Sequence, residues 1–341
     1  MHAIILEETG GPEKLLWKET PTPAPGEGEV LVKVHACAVC YRDIVDRVGR
    51  FPFMQLPIVP GHEFAGEVVE TGPGVKLLSQ GDRVINLHRR HCGQCSRCLA
   101  GRSMHCENAF DFFGVTASGG YAEYVAVHET ALVKFPETIP FEVASTLMCT
   151  AGTALQGMRT RGALQAGEKV VITGASGGVG MAAIQIAKIM GAQVIAVTGS
   201  PDKEARLREA GAHDVIVDAS GKFHHQVHQR YPGGVDMAFD AVGAPTFNAS
   251  LRSLRADGRV VLVGNITGQH LDVNPGLIVV KGLSILGSDG ATPLDLQDIF
   301  GWVERGAYHP FIQEEMPLEK AAEAQTKLEQ RSVTGRIVLR P

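Results

Sequence analysis

Cysteine is rare over most of the 341-residue sequence, because four of its seven cysteines lie within residues 92–106. Long apolar runs are absent too. The best candidate, "MAAIQIAKIM", contains Gln185 and Lys188 and falls short of the ~20 residues that a membrane helix needs. The first residues, "MHAIILEETG", lack the basic segment and long apolar run of a signal peptide. We therefore expect a cytoplasmic protein with no membrane partner.

Positive charge is not in excess either. Lys and Arg number 32 against 37 Asp and Glu, which leaves a net charge of -5. This balance provides no electrostatic reason to expect nucleic acid as a partner. A hydrophobic content of 44% with 20% charged residues is typical of a globular chain, and the length suffices for about two domains. We expect a two-domain globular protein that acts on a small-molecule substrate.

The cysteine-rich segment has the spacing C-x2-C-x2-C-x7-C. Four thiolates at this spacing can complete a tetrahedral shell around one Zn²⁺ with no position left for a substrate. The segment has few apolar residues, so bound metal would supply its folding free energy. Free or disulfide-bonded thiols are the alternative, although disulfides are scarce in the cytoplasm. The pattern predicts a structural zinc on Cys92, Cys95, Cys98 and Cys106.

The pattern of predicted strands and helices changes near residue 147. Before it, short β-rich runs alternate with Pro- and Gly-rich turns, which indicates an irregular β-rich domain. After it, strands alternate with helices, which indicates βαβ units and a parallel sheet. The fold class predicted is α/β: a Rossmann doubly wound domain at 147–286, and a β-rich domain formed by 1–146 together with 287–341.

A glycine-rich loop, "VITGASGGVG", lies between a predicted strand and a predicted helix. Glycines there permit a tight turn and a close approach of the backbone to a pyrophosphate at the helix N-terminus. An ordinary turn between strand and helix is the alternative. The loop residues expected to contact a dinucleotide are Gly174, Ser176, Gly177, Gly178, Val179 and Gly180.

The end of the next strand, "QVIAVTGSPDK", indicates which dinucleotide is bound. An NAD site usually carries an acid there to bond the ribose 2′-hydroxyl, whereas this sequence has Thr198 and Ser200. Hydroxyl groups and the charge of Lys203 would accept a 2′-phosphate. The pattern favours NADPH, and the nearby Asp202 keeps NADH open as the alternative.

Three further residues can form a second metal site. Cys40, His62 and Cys149 lie in "CYRD", "GHEF" and "LMCTAG". A Cys, His, Cys set can hold zinc with one position open, as a catalytic zinc requires. Each residue also has a plain alternative, since His62 could be a turn residue and the two cysteines could be small buried hydrophobes.

Taken together, the cysteine-rich segment 91–106 (the cysteine lobe), the glycine loop and this triad resemble the zinc-containing medium-chain dehydrogenase/reductase family, the alcohol dehydrogenases and their relatives. The resemblance covers essentially the whole chain. It implies a GroES-like catalytic domain beside the Rossmann domain, and a catalytic zinc on Cys40, His62 and Cys149. It also implies that Glu63 is an alternating ligand and that Asp43 orients His62.

The resemblance has further implications for the cofactor and for assembly. Thr153 matches a residue that packs near the nicotinamide, and Val242, Val263 and Gly264 complete the expected nucleotide contacts. Relatives pair edge strands across a two-fold axis, so the apolar, strand-like segment 279–288 ("VVKGLSILGS") predicts a homodimer or homotetramer. An interior strand is the alternative for this segment.

One departure from the alcohol dehydrogenases bears on the reaction. Two residues after Cys40, where those enzymes usually carry a proton-relaying Ser or Thr, the sequence has Arg42, and Val45 replaces a His that often extends the relay. Arg cannot act as a base at neutral pH. In motif detail the chain is most similar to the archaeal-type acryloyl-CoA reductases, which implies hydride addition to an activated C=C bond with Tyr41 as a candidate proton donor. A zinc-dependent alcohol dehydrogenase or carbonyl reductase is the alternative; a nucleotide-sensing protein without turnover is disfavoured by the open zinc set.

Overall fold

The computed structural model describes residues 1–109, 111–271 and 273–341. The chain divides into a first unit, Met1–Cys149 with Gly290–Pro341, and a second unit, Thr150–Asp289. These boundaries differ from the predicted 146/147 and 286/287. Because helical backbone runs without a break from 141 to 161, no turn residue marks the first boundary in the sequence. Within the described ranges, no helix combines the length and apolar character needed to cross a membrane.

Short strands and helices follow one another along the chain. The strands are β1 His2–Leu6, β2 Leu15–Glu19, β3 Glu29–Ala38, β4 Phe64–Thr71, β5 Arg83–Asn86, β6 Tyr124–His128, β7 Leu132–Lys134, β8 Lys169–Ile172, β9 Gln193–Thr198, β10 Asp214–Val217, β11 Val235–Asp240, β12 Leu254–Leu262, β13 Ser284–Gly287, β14 Ile312–Pro317 and β15 Arg336–Arg340. The α-helices are α1 Tyr41–Arg47, α2 Ser96–Leu99, α3 Phe141–Thr146, α4 Thr153–Leu155, α5 Gly178–Ile189, α6 Glu204–Ala210, α7 His224–Arg230, α8 Ala244–Ser253, α9 Pro275–Lys281, α10 Pro293–Glu304 and α11 Ala321–Glu329. π-Helical turns at Leu147–Gly152 and Gln156–Arg161 flank α4.

The first unit is built on a seven-stranded sheet in the order β14-β15-β3-β4-β5-β7, with β6 also paired to β3. The central strand β3 places Val30, Val32 and Val34 in the main hydrophobic core, since alternate side chains of a strand share one face. The C-terminal strand β15 pairs with β3 in antiparallel fashion. Val338 thereby pairs with Ala38, 300 positions earlier in the chain.

The second unit is a six-stranded parallel sheet in the order β10-β9-β8-β11-β12-β13. The central strand β8 contains the apolar run "VVI", which is fully buried, as expected for a parallel sheet covered on both faces. In chain order the strands read 3-2-1-4-5-6, which is the doubly wound arrangement of dinucleotide-binding domains. The loops that follow β8, β9, β11 and β12 carry the candidate nucleotide contacts.

The segment 279–288 differs in part from its prediction as a strand. Residues 279–281 form the last turn of α9, which ends at Gly282 with a φ of 62°, a conformation that glycine adopts without strain. Only Ser284–Gly287 is a strand, and it lies at the edge of the sheet, where it pairs with β12. The alternative interpretation as an interior strand is therefore wrong.

Candidate active site

The four cysteines of the lobe converge as the spacing predicts. Their sulfur atoms lie within 4.8 Å of one another, and none of the seven cysteines, all in described ranges, forms a disulfide. The amide of Cys95 donates to Cys92 Sγ at 3.3 Å, and that of Cys92 donates to Cys106 Sγ at 3.3 Å. Hydrogen bonds from the amides of Gln94 and Cys95 lower the pKa of Cys92 to about 6, since they favour the thiolate. The lobe thus presents four sulfur ligands suited to a tetrahedral Zn²⁺.

A second set of metal-ligand residues is buried in the first unit. The ligand atoms of Cys40, His62, Glu63 and Cys149 lie within 4.8 Å of one another. His62 Nε2 and Glu63 Oε2 are buried and have no hydrogen-bond partner in the described part of the chain. Buried polar atoms in this state are costly unless a ligand satisfies them. Sulfur, imidazole nitrogen and carboxylate oxygen are the donors that zinc takes in proteins, so the set fits a zinc ion.

Asp43 fixes the orientation of His62. Its Oδ1 lies 2.6 Å from His62 Nδ1, and its Oδ2 accepts a hydrogen bond from the Cys40 amide at 2.9 Å. Burial and the Arg42 charge oppose protonation of His62, but Asp43 and Cys40 outweigh them and raise its pKa to about 10. With Nδ1 committed to Asp43, Nε2 is the nitrogen left to face a metal.

The sequence motifs missed Tyr121, which completes the shell around Asp43. Its hydroxyl donates to Asp43 Oδ2 at 3.1 Å, and the side chain is fully buried. The ring passes so close to Gly61 that a Cβ there would lie 2.3 Å from Tyr121 Cδ1. Gly61 also has a φ of 91°, so the glycine before His62 is required both for its backbone conformation and for the space it leaves.

Arg336 on β15 is a further residue of the site that no sequence motif indicates. Its Nη2 contacts Glu63 Oε1, and its Nη1 donates to the Val39 carbonyl at 2.9 Å. Burial raises the pKa of Glu63 to about 8, although the Arg336 charge opposes the shift. One carboxylate oxygen of Glu63 is thus held by Arg336, while the other remains available. A separation of 273 residues hides this pair from any local pattern.

Arg42 lies in α1 and is held on three sides. Its Nε donates to Asp46 Oδ2 at 2.9 Å, its Nη2 donates to the Phe113 carbonyl at 2.6 Å, and its Cζ lies 5.3 Å from the centre of the Phe51 ring. Asp46 is buried, and that burial raises its pKa to about 6 against the opposing Arg42 charge. A fixed cation therefore occupies the position where alcohol dehydrogenases usually carry a hydroxyl, and Val45 is half-buried one turn later.

Two more side chains adjoin the buried set. His88 follows β5 and stacks on His62 with ring centres 5.9 Å apart. Burial lowers the pKa of His88 to about 3, which keeps it neutral at ordinary pH. No ligand-like spacing distinguishes it in the sequence. Tyr41 begins α1 directly after Cys40 and is half-buried.

In the second unit, β8 leads through the glycine loop into α5. Gly174 has a φ of 59°, and a Cβ there would lie 2.9 Å from Val242 Cγ2. A Cβ on Gly180 would lie 2.3 Å from the Gly174 carbonyl oxygen. The loop therefore turns tightly onto the N-terminus of α5, where amide groups and the helix dipole favour a phosphate. Ser176 lies in the turn, Gly177 caps α5, and Gly178 and Val179 are the first residues of that helix.

The remaining candidate nucleotide residues lie on separate elements of the same unit. Thr198 ends β9 and is buried, and its Oγ1 accepts a hydrogen bond from the Ser200 amide at 3.2 Å. Lys203 is also buried, whereas the neighbouring Asp202 is exposed. Thr153 is a buried residue of α4, and Val263 and Gly264 follow β12.

Comparison with known proteins places both units in one family. The alcohol dehydrogenase GroES-like domain family matches residues 26–137, and the zinc-binding dehydrogenase family matches residues 178–305. An acryloyl-coenzyme A reductase of Sulfurisphaera tokodaii is 36% identical over 342 residues, which cover 100% of each chain. An alcohol dehydrogenase of Geobacillus stearothermophilus is 34% identical over 343 residues, covering 100% of this chain and 99% of its own.

A solved structure extends the similarity to the backbone. The crystal structure of AibC has a TM-score of 0.93 and 43% identity, and the match covers 100% of this chain and 96% of that one. These findings confirm the predicted fold class and the family resemblance. The chain belongs to the zinc-binding dehydrogenases with an alcohol dehydrogenase GroES-like domain, and it is an oxidoreductase.

Proposed function

We propose that the protein is an NADPH-dependent reductase of a C=C bond conjugated to a carbonyl or thioester. The observation that carries the proposal is the immobilised Arg42, which is bonded to Asp46 at 2.9 Å and to the Phe113 carbonyl at 2.6 Å. A guanidinium held in this way cannot relay a proton from an alcohol. The 36% identity to an acryloyl-coenzyme A reductase over the whole chain supports the same class of substrate.

We assign two zinc ions to each subunit. Cys92, Cys95, Cys98 and Cys106 would hold a structural ion, and Cys40, His62 and Cys149 would hold a catalytic one, with Glu63 as an alternating ligand. The catalytic ion would supply a Lewis acid for the carbonyl oxygen, on which negative charge develops during hydride transfer. Asp43 holds the His62 ring in place, and Arg336 restrains Glu63.

The proposed reaction transfers a hydride from NADPH to the β-carbon of the alkene and a proton to the α-carbon. The C=C π bond breaks and two C–H bonds form, while NADPH is oxidised to NADP⁺. Tyr41 is the proposed donor of the proton, because it directly follows Cys40 and is half-buried. Arg42 contributes a fixed positive charge beside the site.

The preference for NADPH rests on the end of β9. Thr198 and Ser200 stand where an NAD site usually has an acid, and the buried Lys203 supplies a positive charge nearby. A 2′-phosphate would accept hydrogen bonds from the two hydroxyl groups and would form an ion pair with the lysine ammonium group. Gly174, Gly177 and Gly180 would admit the pyrophosphate, with Thr153 beside the nicotinamide.

A zinc-dependent alcohol dehydrogenase or carbonyl reductase is the second candidate. It is favoured by the complete Cys40, His62, Cys149 set, which would polarise a C=O bond directly. Incubation of the zinc-loaded protein with NADPH and a panel of enals, enoyl thioesters and simple aldehydes, with product identification, separates the two. Saturated aldehydes or thioesters are the expected products. Alcohols from simple aldehydes, with every C=C bond left intact, would refute the proposal.

We propose that the protein is a cytoplasmic homodimer or homotetramer. In the described part of the chain β13 is paired only with β12, and the adjoining α9 exposes Val279 and Val280 by 78% and 85%. Exposed apolar side chains beside a free edge strand favour association. Light scattering at micromolar concentration tests the assignment, and a monomer would contradict it. The lobe cysteines form no disulfide, which suits a reducing compartment.

A further inference from the structure

Asp240 ends β11 with a carboxylate that is 0% exposed. Its Oδ1 accepts hydrogen bonds from the amides of Val242 and Gly243 at 3.0 and 2.9 Å. The same oxygen accepts from the Thr173 hydroxyl at 3.0 Å. A buried carboxylate is tolerated when several donors surround it. These donors come from the turn after β11 and from the residue that precedes the glycine loop.

The other side of the carboxylate faces helix α8. The Ser250 hydroxyl donates to Oδ2 at 2.6 Å. The Thr246 hydroxyl lies 2.7 and 2.9 Å from the two carboxylate oxygens. Asp240 therefore ties the turn 241–243 both to the glycine loop on one side and to the first turns of α8 on the other.

Thr173 connects the glycine loop after β8 to the turn 241–243 after β11. Besides donating to Asp240, its hydroxyl accepts a hydrogen bond from the Ala241 amide at 3.2 Å. The next residue, Gly174, lies so close to Val242 that a Cβ there would be 2.9 Å from Val242 Cγ2. A shift of the 241–243 turn would change the space beside Gly174, since the two loops are in contact.

A third segment is attached to the same residue. The Val263 amide donates to the backbone carbonyl of Asp240 at 3.0 Å, and a Cβ on Gly264 would lie 2.3 Å from the Ala241 carbonyl oxygen. Three segments that carry candidate nucleotide contacts thus meet around Asp240. They follow β8, β11 and β12, which are neighbours in the sheet.

We propose that Asp240 is a positioning residue for the dinucleotide: its carboxylate holds the glycine loop and the 241–243 turn in one arrangement before the nucleotide binds. Loops that are ordered in advance lose less conformational entropy on binding. Asn at this position would keep the shape but would place an NH₂ donor against the donors of Thr173 and Val242. The inference rests on the proposed use of NADPH.

The test compares NADPH dissociation constants, kcat at saturating NADPH and thermal stability for the zinc-loaded protein and four variants. Asp240→Asn should weaken NADPH binding by about tenfold or more, the size expected for a lost charge-assisted hydrogen bond. Thr173→Val removes the linking hydroxyl at nearly constant volume and should weaken NADPH binding severalfold. Thr173→Ser keeps the hydroxyl and should bind NADPH as tightly as the wild type does. Ser250→Ala, the matched control, removes a donor on the α8 side and should lower stability without changing NADPH affinity.

NADPH binding by the wild type tests the proposed function, and the affinities of the variants test the role of Asp240. Wild-type protein that binds neither NADPH nor NADH would refute the proposed function, and the inference falls with it. If the wild type binds NADPH and both Thr173→Val and Thr173→Ser bind it as tightly as the wild type does, the inference alone is overturned. Equal loss of affinity in Ser250→Ala and Thr173→Val would also overturn it, because a general loss of stability would then suffice. If Asp240→Asn does not fold, the Thr173 pair decides.

Discussion

The hydroxyl of Tyr121 donates a hydrogen bond to Asp43 Oδ2 at 3.1 Å, on the carboxylate that orients His62. Burial raises the pKa of Tyr121 well above its usual range, so the hydroxyl remains a donor at any physiological pH. Tyr121 therefore supports a proposed zinc ligand through one intermediate residue. Partners of this kind tune metal affinity because they fix the orientation of the group that binds.

Tyr121→Phe should speed the loss of the proposed catalytic zinc to a chelator, by severalfold to about tenfold, below the effect of changing a direct partner of a ligand. Zinc release followed with a chromogenic chelator measures this, with the four-cysteine lobe as an internal reference. Tyr124→Phe is the control, since Tyr124 is a half-buried tyrosine of β6. Equal release from wild type and Tyr121→Phe would show that the hydrogen bond does not hold the site.

Arg42→Thr combined with Val45→His introduces the relay residues that alcohol dehydrogenases usually carry. For a C=C reductase we expect alcohol oxidation to stay negligible, because the missing relay is not what limits the enzyme. Rates of alcohol oxidation and of enoyl thioester reduction, measured side by side, test this. A gain in alcohol oxidation of roughly 10²–10⁴-fold, the usual size of general acid–base assistance, would favour the alcohol dehydrogenase instead.

Lys203→Ala should raise the KM for NADPH by roughly tenfold, as expected for a lost charge-assisted contact, and should leave the KM for NADH unchanged. The reason is that only NADPH carries the 2′-phosphate. The exposed Lys222 is the matched control, and Lys222→Ala should alter neither KM. Wild-type kcat/KM for NADH equal to or above that for NADPH would show that the end of β9 has been misinterpreted.

Cys95→Ser should remove one zinc per subunit and lower stability without selectively removing the chemistry. The lobe has few apolar residues, so the proposed zinc would supply much of its folding free energy. Metal content, melting temperature and kcat per folded protein are the measurements. Leu99→Ala, at a lobe residue that is 76% exposed, is the control. Full metal content in Cys95→Ser, or free lobe thiols in fresh wild-type protein, would contradict the structural zinc.

The stability contributed by Asp46 should depend on pH. Burial raises its pKa from 3.8 to about 6 in the folded protein, so the folded state binds the proton more tightly than the unfolded state. Its contribution is fully present below pH 3.8 and is lost as the pH rises through about 6. The stability of wild type relative to Asp46→Asn should fall by about 1 kcal/mol between pH 5 and 7.5. Denaturant unfolding at both pH values measures it, and a constant or rising difference would refute the shift.

Local patterns in the sequence determined the features that depend on near neighbours. The four lobe cysteines lie within fifteen consecutive residues, 92–106, so their spacing alone restricts the chemistry available to them. The glycine loop follows β8 and opens α5, and its conformation depends on residues that adjoin it in the chain. The change from β-rich runs to alternating strands and helices likewise reflects short-range periodicity. Even there, α9 extended to Lys281 where a strand was predicted, because short apolar runs suit both structures.

The tertiary structure decided which distant residues support the sites. Glu63 and Arg336 are 273 residues apart, Asp43 and Tyr121 are 78 apart, and Thr173 and Asp240 are 67 apart. Each pair joins different strands or loops, so no periodicity or spacing along the chain marks it. A buried polar group must find its partner wherever the packed fold places one, and that requirement acts in three dimensions. The sequence alone therefore suggested candidate groups for metal and nucleotide, and packing selected the residues that hold those groups in place.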